Sequence, residues 1–252
     1  MISREYVQRL VDATPVAYYV SGNDGGRAWF PWRMNKAHAP EGTHEDMCEH
    51  FALDSNFKDD TVTNADVLDL AVDLDADAVV LADVYHDADA TVAALRGGLA
   101  LAADHAFDGT VVLPLQAPHA DSATRLRDDA AGMDVWWAIG GLKDEPATVK
   151  VNAARKLRDA LGPDAHIHGL GFGVTEQLAA VVRDDPDLLD SIDNASSASN
   201  ASVRDLDGCD GKNEKMSVLA ARMTARRLEN LRLLTPYADD GEDQRQAALG
   251  DW

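Results

Sequence analysis

The sequence predicts a (β/α)8 TIM-type barrel, an α/β fold built as a single domain, and three observations predict it. Short apolar, β-branched runs recur along the chain, and amphipathic helical patterns lie between most of them. From the second run onward the repeat is about 25–30 residues, the length of a βα unit. The runs are continuous rather than alternating, as expected of parallel strands buried on both faces. No G-x-G-x-x-G follows the first run, and the glycine-rich stretches fall late, which favours a closed barrel over an open doubly wound sheet. A length of 252 residues suits one such domain.

Taken in order, the N-terminal MISREYVQRLVDATP reads as an amphipathic helix rather than a signal peptide. Strands are predicted at 16–20, 51–54, 78–83, 110–116, 135–142, 166–173 and 188–193, and helices at 65–75, 88–106, 121–132, 146–161 and 175–184. An eighth strand is sought in the irregular 21–50 stretch or around 203–209. The 21–50 stretch is too long for an ordinary connection and reads as a functional loop or lid. It carries Arg27, Arg33 and Lys36 beside Trp29, Phe30 and Trp32, which suits nucleic-acid contact and a plug for the barrel end equally. A basic helix is predicted at 212–232. The barrel therefore spans 1–236, and 237–252 is a polar tail.

Composition narrows the setting. Asp outnumbers Glu 35 to 9, Arg outnumbers Lys 16 to 7, and the formal net charge is −21. A Lys-poor, Asp-rich chain fits a halophilic protein, whose charge repulsion is screened by salt. The acid excess rules out a diffuse electrostatic grip on a polyanion. It leaves open a shaped pocket with a local basic strip. Only Cys48 and Cys209 are present, so neither a disulfide framework nor a Cys-based zinc cluster can form. No run approaches ~18 apolar residues, so no membrane association is expected, and a cytoplasmic location is (the host cytoplasm if the chain is viral).

In a barrel the chemistry gathers where strands end. Those ends carry Asp54, Asp83, Gln116, Gly140-Gly141-Leu142, the stretch Gly169 to Gly173, and Asp190 with Asp193. Paired carboxylates across a pocket suit chemistry at an anomeric carbon, one attacking and one moving a proton. A carboxylate beside a carboxamide can read the edge of a purine-like base, and glycines let the backbone approach a flat ring. His166 and His168, two apart on one strand, raise a metal-dependent hydrolase as a rival, although a lone histidine pair near a strand start is more often structural.

The order of these motifs resembles the tRNA-guanine transglycosylase superfamily over about residues 51–196. FALDSNF resembles its D-S-G-x-F segment, which implies Asp54 as proton handler, Ser55 as a base contact and Phe57 as a stacking residue. That loop is one residue shorter here. ADAVVLADV and VVLPLQ resemble the strands ending in the base-reading Asp83 and Gln116. WAIGGL resembles V-G-G-L, placing Gly140, Gly141 and Leu142 around the base. HGLGFG resembles M-G-V-G, with Leu170 under the ring. LLDSIDNAS resembles the F-D-S strand end, which makes Asp190 the nucleophile, with Asp193 in its place if the register shifts.

The resemblance implies exchange of guanine in a nucleic acid for a 7-deazaguanine such as preQ0, through a covalent glycosyl-aspartate and with no cofactor. The family's C-x-C-x-x-C…H zinc subdomain is missing, which is closer in character to the DNA-modifying branch, so DNA is the favoured partner and tRNA the alternative. A non-catalytic nucleic-acid-binding barrel is the remaining reading, and a homodimer stays open. Residues 212–232 carry six bases against two acids. Lys215, Arg222, Arg226 and Arg227 are its candidates for contact with the nucleic-acid backbone.

Overall fold

The computed structural model describes residues 4–21, 29–37, 48–55, 62–194 and 225–236. Eight parallel strands close into a barrel in sequence order, the first pairing with the last. They are β1 (Ala17–Ser21), β2 (Trp32–Lys36), β3 (His50–Asp54), β4 (Ala78–Val80), β5 (Thr110–Leu115), β6 (Val135–Ile139), β7 (His166–Gly169) and β8 (Ser191–Asn194). Helix α1 (Arg4–Asp12) precedes them. Helices α2 (Asn64–Asp73), α3 (Ala88–Ala103), α4 (His119–Leu126), α5 (Ala147–Leu161) and α6 (Glu176–Asp184) follow β3 to β7. A further helical segment covers 225–234. No helix among the described residues is long and apolar enough to cross a membrane.

Helix starts are set by local chemistry. Thr63 caps α2 with a full capping box, its backbone N–H donating to the Asp66 carboxylate 2.9 Å away. Asp87 caps α3 and Thr175 caps α6. Each helix then lays apolar residues on the barrel, as α3 does with Val92, Leu95 and Leu99.

Strand alternation separates two cores. Leu53, Val79, Leu113, Ile139, Ile167 and Ile192 face the helices. Tyr19, Met34, Ala52, Val80, Val112 and Ala138 fill the barrel interior, with Trp32 and Trp136 packed against them.

The structure finds the eighth strand in the first of the two stretches where it is sought, and corrects the reading of that stretch as a loop or lid and the start of the last strand. The eighth strand is β2, inside the stretch read as a loop or lid. Its Trp32 plugs the interior, while Arg33 is buried and turned to the outside of the sheet. Phe30 is also buried, edge-on to Tyr18 at 5.8 Å in the helix-facing core, so the plug reading holds for Trp32 and not for Phe30. The last strand begins at Ser191, not Leu188. Leu188 and Leu189 belong to the helix-facing core of the connection before it.

Consequently Asp190 lies at the entry of β8, at the opposite end of the barrel from the strand ends. There its carboxylate accepts hydrogen bonds from the Ile167 backbone N–H and from Arg158 Nη2, both at 2.7 Å. Two other aspartates do the same work one residue ahead of even-numbered strands. Asp77, before β4, accepts from the Phe51 backbone N–H at 2.7 Å. Asp134, before β6, accepts from Thr110 Oγ1 at 2.6 Å. Each clasps the preceding strand, so Asp190 is one of a set of structural clasps. Asp190→Asn is expected to cost about 1–2 kcal/mol in urea unfolding while leaving any chemistry at the other rim unchanged.

Candidate functional site

With the strand register known, the interior-facing side chains at the C-terminal rim follow by parity. Asp54 closes β3 on the same face as Ala52, in register with Lys36 of β2. Asp193 closes β8 on the same face as Tyr19, its register partner. Gln116, Gly140 and Leu170 leave β5, β6 and β7 on the interior parity, whereas Asp83 lies three residues past β4 and is brought to the same rim by its hydrogen bond with Gln116 rather than by strand parity. Six strands thus bring Asp54, Asp83, Gln116, Gly140, Leu170 and Asp193 to one rim.

Gln116 is the best anchored of these. Its Nε2 donates to Asp83 Oδ2 at 2.5 Å, its Oε1 accepts from the His86 backbone N–H at 3.1 Å, and its carbonyl accepts from Ser122 Oγ at 3.1 Å. The glycines beside it are a steric requirement. A Cβ on Gly141, whose φ is +73°, would stand 2.5 Å from Gln116 Oε1. The Gly140 carbonyl is bonded to His119 Nε2 at 2.9 Å. His119 is buried, and burial pulls its pKa below the ordinary value.

Asp83 carries the clearest electrostatic signature. Burial is the largest cause and the negative charge of Asp54 adds to it, while the Gln116 hydrogen bond opposes them. The result is a carboxyl pushed up to about 6. Asp193 is nearly enclosed, its side chain 8% exposed against 38% for that of Asp190. Its Oδ1 accepts from the Gly171 backbone N–H and lies 3.5 Å from His168 Nε2.

Several predicted residues sit elsewhere. Ser55 must face out because Asp54 faces in; its hydroxyl donates to the Leu81 carbonyl at 3.3 Å. Leu142 packs against the helix-facing core, whereas Leu170 packs against the interior one. Arg227 is 2% exposed, over the Phe30 ring at 5.9 Å, so it cannot serve as a surface contact for phosphates. Arg226, one residue earlier, is exposed and paired with Glu229 at 2.6 Å. Phe57, Lys215 and Arg222 lie outside the described residues.

Lys150 escaped the sequence reading. It lies on the buried face of α5 with Val151, Ala154 and Leu157, and its ammonium donates to the carbonyls of Lys143 and Phe172 at 2.9 and 2.8 Å. It thereby ties the loop after β6 to the loop after β7, and burial lowers its pKa. A lysine in the apolar stripe of a helix was the signal available.

His166 and His168 face inward, but the side chain they share is the Ser191 hydroxyl, 2.8 Å from His166 Nε2 and 2.7 Å from His168 Nδ1. Among the described residues no group of three or more His, Cys, Asp or Glu is gathered so as to hold a metal ion.

No family model matches the chain, and no curated protein matches it at a significant level. Solved structures do. One, described as a fructose-1,6-biphosphate aldolase from Coccidioides immitis, is 10% identical with a TM-score of 0.63, covering 91% of this chain and 94% of that one. The YdjI aldolase from Escherichia coli K12 is 12% identical with a TM-score of 0.55, covering 96% and 99%. At such identities the likeness is one of fold.

Proposed function

We propose that this barrel is a base-exchange transglycosylase, replacing guanine in a nucleic acid, DNA in the first instance, with a 7-deazaguanine such as preQ0. The supporting observation is the convergence of Asp54, Asp83, Gln116, Gly140, Leu170 and Asp193 on one rim, in the chain order of the motif resemblance. In this reading the nucleophile's role falls to Asp193, at the rim end of β8, and not to Asp190, which lies at the strand's entry.

In this reading a guanine is extruded from the stack and lies over Leu170. The Asp83 carboxylate accepts from its N–H edge, while Gln116 and the Gly140-Gly141 backbone complete the frame. Asp193 attacks C1′ as the C1′–N9 bond breaks. The electron pair goes to N9, which takes a proton delivered by Asp54. Guanine departs and leaves a glycosyl ester on Asp193. The incoming 7-deazaguanine gives its N9 proton to Asp54 and attacks C1′, and the Asp193 carboxylate is released.

DNA is favoured over tRNA because a chain with two cysteines cannot form the cysteine-based zinc element of the tRNA-modifying relatives. The test is incubation of the protein at molar salt with radiolabelled guanine and either genomic DNA or bulk tRNA. Label entering DNA is expected. Label entering tRNA alone would reassign the substrate, and label in neither would overturn the proposal.

A further inference from the structure

Below the rim, the barrel interior holds a line of polar side chains that leads to Asp193 and whose other members the exchange reaction as described does not use. It runs from His166, stacked on Trp136 at 4.1 Å with planes 10° apart, through Ser191 to His168 and up to Asp193. His168 is fully buried, edge-on to Tyr19 at 6.0 Å. Its Nδ1 contacts Ser191 Oγ, and its buried Nε2 makes no hydrogen bond; Asp193 Oδ1 lies 3.5 Å from it, at ion-pair rather than hydrogen-bond distance.

We infer that His168 is a positioning residue for Asp193, held in one tautomer by Ser191 and His166. The inference rests on the transglycosylase reading above.

The proton positions follow from counting. The Ser191 hydroxyl has one proton and lies between two ring nitrogens, so it donates to one and accepts from the other. A neutral imidazole carries one N–H, and burial keeps His166 neutral, its pKa lowered to about 4. Asp193 Oδ1 can only accept when ionised, which places the His168 proton on Nε2. Nδ1 is then an acceptor, Ser191 donates to it, and His166 Nε2–H donates to Ser191. Every donor in the chain therefore points toward the carboxylate. The Gly171 N–H and His168 both address Oδ1, so the carboxylate is oriented with Oδ2 presented for attack. Partners that orient metal-bound ligands are worth about 10–100-fold when removed, and a group that orients a nucleophilic carboxylate is expected to act on the same scale.

Three variants and one spectrum test this in the full-length protein. His168→Leu is expected to lower kcat for guanine exchange by about 10–100-fold with KM for the free base unchanged. His168→Gln, whose Nε2 can reach the same oxygen, is expected to recover most of that loss. Ser191→Ala should give a smaller loss in kcat. In the wild type, 15N spectra should show His168 protonated at Nε2 with Nδ1 accepting. Wild-type kcat in His168→Leu, a change confined to KM, no rescue by His168→Gln, or a proton on His168 Nδ1 would each overturn the inference while leaving the exchange activity standing. Absence of exchange by the wild type would overturn the transglycosylase reading and this inference with it.

Discussion

Asp193→Asn is expected to abolish base exchange, lowering kcat by at least about a thousandfold, because an amide nitrogen cannot form the glycosyl ester. The substitution is nearly isosteric, and the remaining carbonyl oxygen can still accept from the Gly171 N–H. Fold and free-base binding should survive, since Asp83 and Gln116 are untouched. The readouts are release of labelled guanine and a DNA–protein adduct resolved on a denaturing gel; the adduct should form with the wild type and vanish in the variant. Asp190→Asn is the matched control. Three residues apart on one extended segment separate the two carboxylates by about 10 Å, at opposite ends of the barrel. If Asp193→Asn exchanged at the wild-type rate and Asp190→Asn did not, the assignment would be reversed.

That pair also shows how far the sequence could be read. The segment LLDSID offers two aspartates, each following apolar residues, and a buried parallel strand has no alternation to choose between them. Leu188 and Leu189 are as deeply buried as any strand residue, yet they cover the connection before β8. Composition alone could not reveal that. β2 was hidden for the opposite reason. In WRMNK the polar Arg33 and Asn35 are buried on the outer face, so the strand does not read as an apolar run.

Other features were legible and only partly used. With Asp54 placed inward, the period of two already turns Ser55 outward. The barrel, six of the helices and the rim positions of Asp54, Asp83, Gln116, Gly140 and Leu170 follow from apolar runs and their punctuation. The His166–Ser191–His168 line needed a register between β7 and β8, which no single-chain pattern specifies.

Asp83→Asn is expected to abolish guanine recognition and to make the protein more stable at neutral pH, two effects with one cause. The wild-type carboxyl is raised from its ordinary value to about 6, by burial first and by Asp54 second. Below the ordinary carboxylate range, Asp83 is protonated in the folded and unfolded chains alike and contributes nothing. As pH rises toward 6, the unfolded chain releases this proton while the folded one retains it, so folding weakens by up to 1.36 kcal/mol per pH unit. Above 6 the penalty levels off. Allowing for partial access to water, it is about 2 kcal/mol.

The amide of the Asp83→Asn variant never ionises and escapes that penalty, so urea unfolding should show the variant more stable at pH 7.5 and equal to wild type near pH 3.5. Recognition runs the other way. The guanine edge presents N–H donors, which a carboxylate accepts and a carboxamide partly repels. A loss of about a hundredfold or more in affinity is expected by calorimetry. Wild-type affinity should itself fall as pH drops through 6. A variant that bound guanine normally, or that was less stable at pH 7.5, would sink the assignment. If Asp83 were merely a structural carboxylate, its raised pKa would be a cost with no return. Serving as the acceptor for a base that arrives from solvent gives the buried charge a second partner beside Gln116, and guanine should therefore bind most tightly in the pH range where the empty pocket is least stable.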